Sequence, residues 1–462
     1  MSVWDKLSVE VYDEIFSHLA VPTVNYSYVL HTFDDICGID RLNYGDGDGF
    51  MQLRFVCKAF DRAITRAYFK EKPAVFHACQ ERAVQRLQEY IIDEQTVIAP
   101  QVTRLEIDLS PAVLHLFDTN YRGYYTESVA GPGNVHAFIS KLEEAVSKLP
   151  KLERLVVTTK EKVRSEGPVD VDSDDNDDEE RGPVLDLDLV KHVRSNIARI
   201  FSSPRIRLRL LTYLRLVLPC AHDLATIGAQ ISDDIAMQLR HLYLECIDGT
   251  GPGGDRYYTK HWQGDSDSDG DETHPYSNLQ KRFPNKNHMA DLSTLISRCH
   301  SLKSLGLAGT QCMDLRSLNW RPTKAGLENI YISRGIMPSS TLLSLLSPAA
   351  SSPGLASNIV SFQIEDVQLL DCTWELVFDH LVSCPLLRFI HVYNLVYARY
   401  GESAHLRLHN NRPWENNEMI WSEEDGDILR LRDVVRKVQE RGGDPSADLV
   451  EFAAGYDTSD EE

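Results

Sequence analysis

From residue 102 onward one apolar pattern recurs: an apolar residue, two others, an apolar residue, one other, and a third apolar residue. It occurs as Val102/Leu105/Ile107, Leu152/Leu155/Val157, Leu211/Leu214/Leu216 and Leu239/Leu242/Leu244. It returns as Leu302/Leu305/Leu307, Leu327/Ile330/Ile332, Ile359/Phe362/Ile364 and Leu387/Ile390/Val392. The last two positions of each copy are two apart, which in an extended chain sends both side chains to one face. Most copies follow a stretch with helical apolar spacing, such as 135–149, 187–201, 292–299 and 374–382. Pro150 and Pro385 stop the helix just ahead of the strand. Cys299 and Cys384 each stand three residues before the first apolar position of their copy. A strand and a helix per unit predicts an α/β fold.

The middle apolar residues of successive copies lie 25 to 63 residues apart. Each long step holds a visible insertion: 119–133 is rich in Gly and Tyr, 164–183 is acidic, and 249–288 is rich in Gly and Asp. Without them each unit spans roughly 25–35 residues, a strand-plus-helix period that resembles the leucine-rich repeat. That resemblance implies an irregular horseshoe over 73–410, with parallel strands on the inner wall and helices outside. The family's Asn or Cys, three residues after the last Leu, is absent; Ser110, Pro219, Ile247, Thr310 and Leu395 stand there. The rival fold is a doubly wound α/β domain. Its strands would read as unbroken Val and Ile runs rather than as spaced triplets.

Near the N-terminus, Tyr12, Ile15, Phe16 and Leu19 form one helical stripe, and Phe55/Val56, Ala59/Phe60, Ala63/Ile64 and Ala67/Tyr68 form another. Neither short helix can bury its stripe alone. The order L-x-x-E-V-x-x-x-I-F-x-H-L from Leu7, followed by L-R-x-V-C-K-x-F from Leu53, resembles the F-box. This is the small helical module that docks on the Skp-type adaptor of cullin ubiquitin ligases. The resemblance covers about residues 4–70, within a module of 1–72. It implies adaptor contacts at Leu7, Ser8, Glu10, Val11, Ile15, Phe16, Leu19, Val56 and Phe60, and through the adaptor a cullin. There are two departures. Ser8 replaces the family's Pro, with a hydroxyl able to cap the helix, and an insert of 21–50 carries the loop signature Gly45-Asp46-Gly47-Asp48-Gly49. Loop closure grows by only about 0.6 kcal/mol per doubling of length, so the insert is compatible with the module.

The formal charge of −21 is concentrated in three runs without Lys or Arg, 166–180, 265–272 and 457–462. The remainder is near neutral, so no positive field exists to hold nucleic acid. The first residues lack a basic region followed by an apolar core, which predicts no secretory signal. No apolar run reaches the roughly 18 residues of a membrane span. The 9 cysteines show no C-x-x-C pair and no zinc spacing. Reduced thiols in a cytoplasmic or nuclear protein fit best.

Little here points to chemistry. Asp265, Asp267, Asp269 and Gly270 resemble the start of a calcium loop, but Tyr276 occupies the position that needs a bidentate Glu. Ser266, Ser268, Thr458 and Ser459 each have an acidic residue three positions on, a pattern similar to acidophilic kinase sites. The clusters Gly251-Pro252-Gly253-Gly254 and Gly131-Pro132-Gly133 lack the Gly-Lys-Ser/Thr ending of a phosphate loop. No nucleophile elbow or H-E-x-x-H occurs. A non-enzymatic chain without metal or cofactor is expected.

Strand alternation places the residue between the last two apolar positions on the face opposite the core. These residues are Glu106, Val156, Arg215, Tyr243, Gly306, Tyr331, Gln363 and His391, flanked by Arg104, Arg154, Tyr213, His241, Phe389 and Tyr393. Aromatic residues and Arg dominate interface energies. Arg154, Arg215, Tyr243, Tyr331, His391 and Tyr393 are therefore the candidates for binding a target protein. Within 411–462, Ile428, Leu431, Val434/Val435 and Val438 mark one face of a helix that would cap the last unit, ahead of an acidic tail. The resemblances together imply a substrate receptor of a Skp–cullin–F-box ligase. The alternative is a repeat scaffold with a vestigial F-box.

Overall fold

The computed structural model describes residues 69, 73–96, 98–109, 114–115, 132–159, 184–185, 187–247, 283–309, 313–321, 326–348, 357–397, 419–420 and 425–454. The F-box positions Leu7 to Phe60 and the Ser/Thr candidates Ser266, Ser268, Thr458 and Ser459 lie outside these residues.

Each triplet ends in a strand. Nine strands form one sheet: β1 (Ala74–His77), β2 (Arg104–Asp108), β3 (Arg154–Thr158), β4 (Tyr213–Leu218) and β5 (His241–Cys246), then β6 (Ser304–Gly309), β7 (Asn329–Ser333), β8 (Ser361–Glu365) and β9 (Phe389–Tyr393). Every neighbouring pair is parallel, and the order across the sheet is the order along the chain. A doubly wound sheet reverses its strand order at a switch point; these strands do not. Each unit is simply added beside the last.

The triplets set the register. Leu105, Leu155, Leu214, Leu242, Leu305, Ile330, Phe362 and Ile390 lie side by side across the sheet. None is more than 1% exposed, and the same holds for the row from Ile107 to Val392. Packed over them are the helices Pro132–Ser140, Leu142–Ser147, Leu187–Ser202, Ala221–Gly228, Met289–Arg298, Ser339–Leu346 and Trp374–Ser383, which together with the sheet enclose one continuous apolar core. The rule is simple: one face of every strand is given to helices.

Backbone seams hold the units in line. The carbonyl of Thr103 accepts from both Glu153 and Arg154, that of Glu153 from Thr212 and Tyr213, and that of Thr212 from Arg240 and His241. The pattern continues through Arg240, Lys303, Glu328 and Val360. At the end of the stack Asp444 donates to the carbonyl of Arg388 and Ser446 to that of Ile390, so the chain after helix Asp425–Glu440 occupies the place of a further strand. That helix buries Leu431, Val434, Val435 and Val438 against Trp374–Ser383. Gly443 lets the chain approach: a Cβ there would stand 2.2 Å from the Arg388 carbonyl oxygen.

Three features depart from the sequence reading. Strand β1 precedes the first triplet, with Ala74 and Phe76 in register with Leu105 and Ile107. A second parallel sheet joins Met313–Asp314, Gly335–Met337, Gln368–Leu369 and Val396–Tyr397. The turns into its last three strands are made by Arg334, Asp366 and Asn394, with φ of 60°, 53° and 49°. Left-handed backbone is costly for such residues unless the surroundings hold it. Here their side chains do so: Arg334 Nε donates to Asp366 Oδ2 at 3.2 Å and Nη1 to the Gly309 carbonyl at 3.2 Å. Asn394 Nδ2 donates to Asp366 Oδ1 at 2.6 Å. A polar ladder tying the turns is therefore present, two residues after the last apolar position rather than three. Of the insertion expected over 249–288, the last part is built into the fold. Asn285 is buried there and accepts from the Ala221 amide at 3.1 Å.

Candidate functional site

The face of the sheet on which no described helix packs carries three rows of side chains, fixed by the register. The middle row runs Val75, Glu106, Val156, Arg215, Tyr243, Gly306, Tyr331, Gln363, His391. On the strand-start side lie Arg104, Arg154, Tyr213, His241, Ser304, Asn329, Ser361 and Phe389. On the strand-end side lie Asp108, Thr158, Val217, Glu245, Ala308, Ser333, Glu365 and Tyr393. All six target-binding candidates, Arg154, Arg215, Tyr243, Tyr331, His391 and Tyr393, fall on this face. Of the strand-end row the sequence reading named only Tyr393. Carrying the alternation two residues further in the other units would have found the rest.

The face is not a wall of exposed side chains. Val156, Tyr213, Val217, Tyr243 and Ala308 form a second, smaller apolar cluster separate from the main core. Side chains on strands about 4.8 Å apart meet directly, and here they stack. The Arg154 guanidinium sits 4.2 Å from the Tyr213 ring centroid and Arg215 4.6 Å from that of Tyr243. Such pairs gain cation–π attraction. Tyr213 meets His241 at 5.9 Å, and Tyr243 stacks with Tyr331 at 5.9 Å across the side-chain-free Gly306. Carboxylates border these cations: Glu106 lies 3.6 Å from Arg154 and Glu245 4.0 Å from Arg215. Tyr243 Oη donates to Glu245 at 2.9 Å.

Burial sets the protonation of the face. Desolvation, and then the nearby Glu245 carboxylate, raise Tyr243 well above the usual phenol range, and burial with Glu365 does the same to Tyr331. Both stay neutral donors. Desolvation lowers His241 to about 4 and also lowers His391. At neutral pH both imidazoles are uncharged. His241 Nδ1 lies 2.9 Å from Ser304 Oγ, which also accepts from Asn329 Nδ2 at 2.9 Å.

The far end is different in character. Gln363 Nε2 donates to Glu365 Oε1 at 2.7 Å, and His391 Nε2 faces the same oxygen at 3.6 Å. Phe389 and Tyr393 flank them, half-buried.

Nothing elsewhere among the described residues assembles a reactive centre. Cys220 Sγ donates to Asp223 Oδ2 at 3.1 Å, and burial together with that carboxylate pushes the thiol far up, which makes it a poor nucleophile. No group of three or more His, Cys, Asp or Glu able to hold a metal occurs among the described residues. No described helix is long and apolar enough to cross a membrane. Neither the protein-family models nor the curated proteins contain a match to this chain.

Proposed function

We propose that this chain is a non-catalytic substrate-recognition subunit of a Skp–cullin–F-box ubiquitin ligase. Its N-terminal module would dock the adaptor, and the sheet face opposite the described helices a target protein. The observation that carries the binding half is the register. Strands added one beside another turn every second residue into an unbroken row, and those rows hold Arg, Tyr, His and Phe. Of these, Tyr and Arg are among the side chains that supply most binding energy at protein interfaces. The ligase half rests on the sequence order around Leu7 to Leu19 and Leu53 to Phe60. In this reading the chain acts by holding a target near the catalytic subunits, a gain in effective concentration. Leucine-rich-repeat horseshoe geometry is part of the proposal, and is supported by parallel strands in chain order with the described helices packed on one face.

The test is co-purification of the full chain with a Skp-type adaptor, beside a variant carrying Leu7→Ala and Ile15→Ala. Capture by the parent alone supports the ligase reading. Capture by neither favours a repeat scaffold outside any ligase, a second reading that Ser8 and the 21–50 insert motivate.

A further inference from the structure

The sheet face described above ends, on strands β8 and β9, in a group of side chains whose hydrogen-bonding capacity is unspent. Gln363 is 2% exposed, His391 4% and Ser361 3%, and Gln363 is paired in register with His391. Gln363 Oε1, His391 Nδ1 and Ser361 Oγ are buried without a hydrogen-bond partner. Orphaned buried polar atoms cost about 1–3 kcal/mol each and call for an explanation.

The chemistry of these atoms can be read from their neighbours. The Glu365 carboxylate only accepts, so the Gln363 amide turns its NH2 toward it and leaves the buried carbonyl oxygen without a partner. The His391 imidazole is neutral and faces the same carboxylate with Nε2, which leaves Nδ1 as a lone-pair acceptor. A second carboxylate, Asp448 of helix Ala447–Ala454, acts on His391 from the end of the stack. Glu365 is 22% exposed and stands at the rim. Tyr331, Phe389 and Tyr393 stand beside Gln363, Ser361 and Glu365 in register and bring aromatic side chains to this end of the face. Two neutral acceptors, two carboxylates and three aromatic rings suit a hydrogen-bond donor that carries positive charge.

We infer that this end of the face takes a basic side chain, a lysine ammonium or arginine guanidinium, of the protein partner. The inference rests on the reading of the face as a protein-binding surface. It deepens that reading by fixing one element of the partner's sequence and where on the sheet that element lies. The cation would donate to both free lone pairs, of Gln363 Oε1 and His391 Nδ1, and lie against Glu365 with an aromatic ring on its open side.

The test uses small probes on the full chain, so it does not wait for a target. N-acetyl-lysine methylamide and N-acetyl-arginine methylamide are titrated in turn, with the uncharged isostere N-acetyl-citrulline methylamide as control. The readout is the ring resonances of His391 in histidine-labelled protein, assigned with His391→Asn. Saturable shifts at millimolar probe are expected for at least one cation, as befits a single side chain, with none for citrulline. Gln363→Leu should weaken binding about tenfold. Because Gln363 is buried, Glu365→Gln at the rim is the second variant, expected to weaken binding several-fold with the melting temperature held. Equal shifts from citrulline, unchanged affinity in Glu365→Gln, or no saturation by either cation would overturn the inference. The adaptor experiment fails independently. Probe binding without adaptor capture removes the ligase but keeps the cation site, and adaptor capture without probe binding does the reverse.

Discussion

The two ends of the sheet solve one problem in different ways. A strand in this stack must leave the sheet and return one unit later, and the turn at its end must be held. In β2 to β4 the ladder merely runs one residue past the strand. Leu109 donates to the Thr158 carbonyl at 2.7 Å and Thr159 to that of Val217 at 2.9 Å, with the Thr159 hydroxyl doubling the second bond. In β7 to β9 a left-handed residue turns the chain straight into a second sheet, and a buried charge pair with an amide locks three units together. The first solution uses backbone and tolerates any side chain. The second depends on three particular residues and joins units more tightly than their strands alone.

The sharpest way to break that contrast is Asp366→Ala. It removes the carboxylate to which both Arg334 and Asn394 donate, leaving a buried guanidinium without that countercharge, at a cost of about 3–5 kcal/mol. Hydrogen exchange should quicken across β7 to β9 first while β2 to β4 keep their protection. Uniform loosening would show that the stack melts as one unit.

Gly443→Ala tests the end of the same region. Its Cβ would overlap the Arg388 carbonyl oxygen, so the terminal segment must withdraw from β9. A loss of roughly 3 kcal/mol or somewhat more is expected from a backbone conflict of this kind. Limited proteolysis should then cut near residues 440–446. A variant as resistant as the parent would mean the close approach is dispensable.

The third prediction concerns the middle of the face and acid. His241 has a folded pKa of about 4, below its unfolded value near 6.5. Between those values the unfolded chain takes up a proton that the folded chain refuses. Stability therefore falls as pH drops from about 6.5 toward 4, by up to about 3 kcal/mol, and this contribution levels off below 4. Denaturant midpoints at pH 7 and pH 4.5 should diverge less in His241→Gln than in the parent. The same divergence in both would refute the assignment.

The smallest effect lies in the N-terminal half. Thr159→Val deletes one hydroxyl bond that duplicates a backbone bond, so about 1 kcal/mol or less is expected. A drop as large as that of Asp366→Ala, measured by chemical denaturation, would erase the distinction between the two regions.

Much of the architecture was legible in the spaced triplets, because a period of two inside each copy and a similar span between copies leave few packings. The spacing alone places Leu105, Phe362 and Val392 in the core, where they are buried. Strand β1 was not legible, since Ala74 and Phe76 supply only two apolar positions, one of them small. The polar ladder escaped because Arg334, Asp366 and Asn394 share no residue type; only their conformation and partners make them equivalent. At the candidate site, alternation found the middle row and its aromatic residues. It could not show that Arg154 and Arg215 lie flat over neighbouring rings, or that Gln363 and His391 are buried with atoms unsatisfied. Those facts belong to the lateral spacing of strands far apart in sequence.

The seam along the strand starts has a consequence for how such a chain changes over generations. Each unit is fastened there by one carbonyl and two amide groups, from Thr103 through Val360, whatever the side chains at those points are. The long insertions of this sequence, 119–133, 164–183 and 249–288, all come later in the chain than a strand end, at Asp108, Thr158 and Cys246, and none interrupts the seam. The seam is thus conservative by construction, and the chain between a strand end and the next seam is free to lengthen. A lineage building on this plan can acquire new loops without rewriting the joints that keep its units in step.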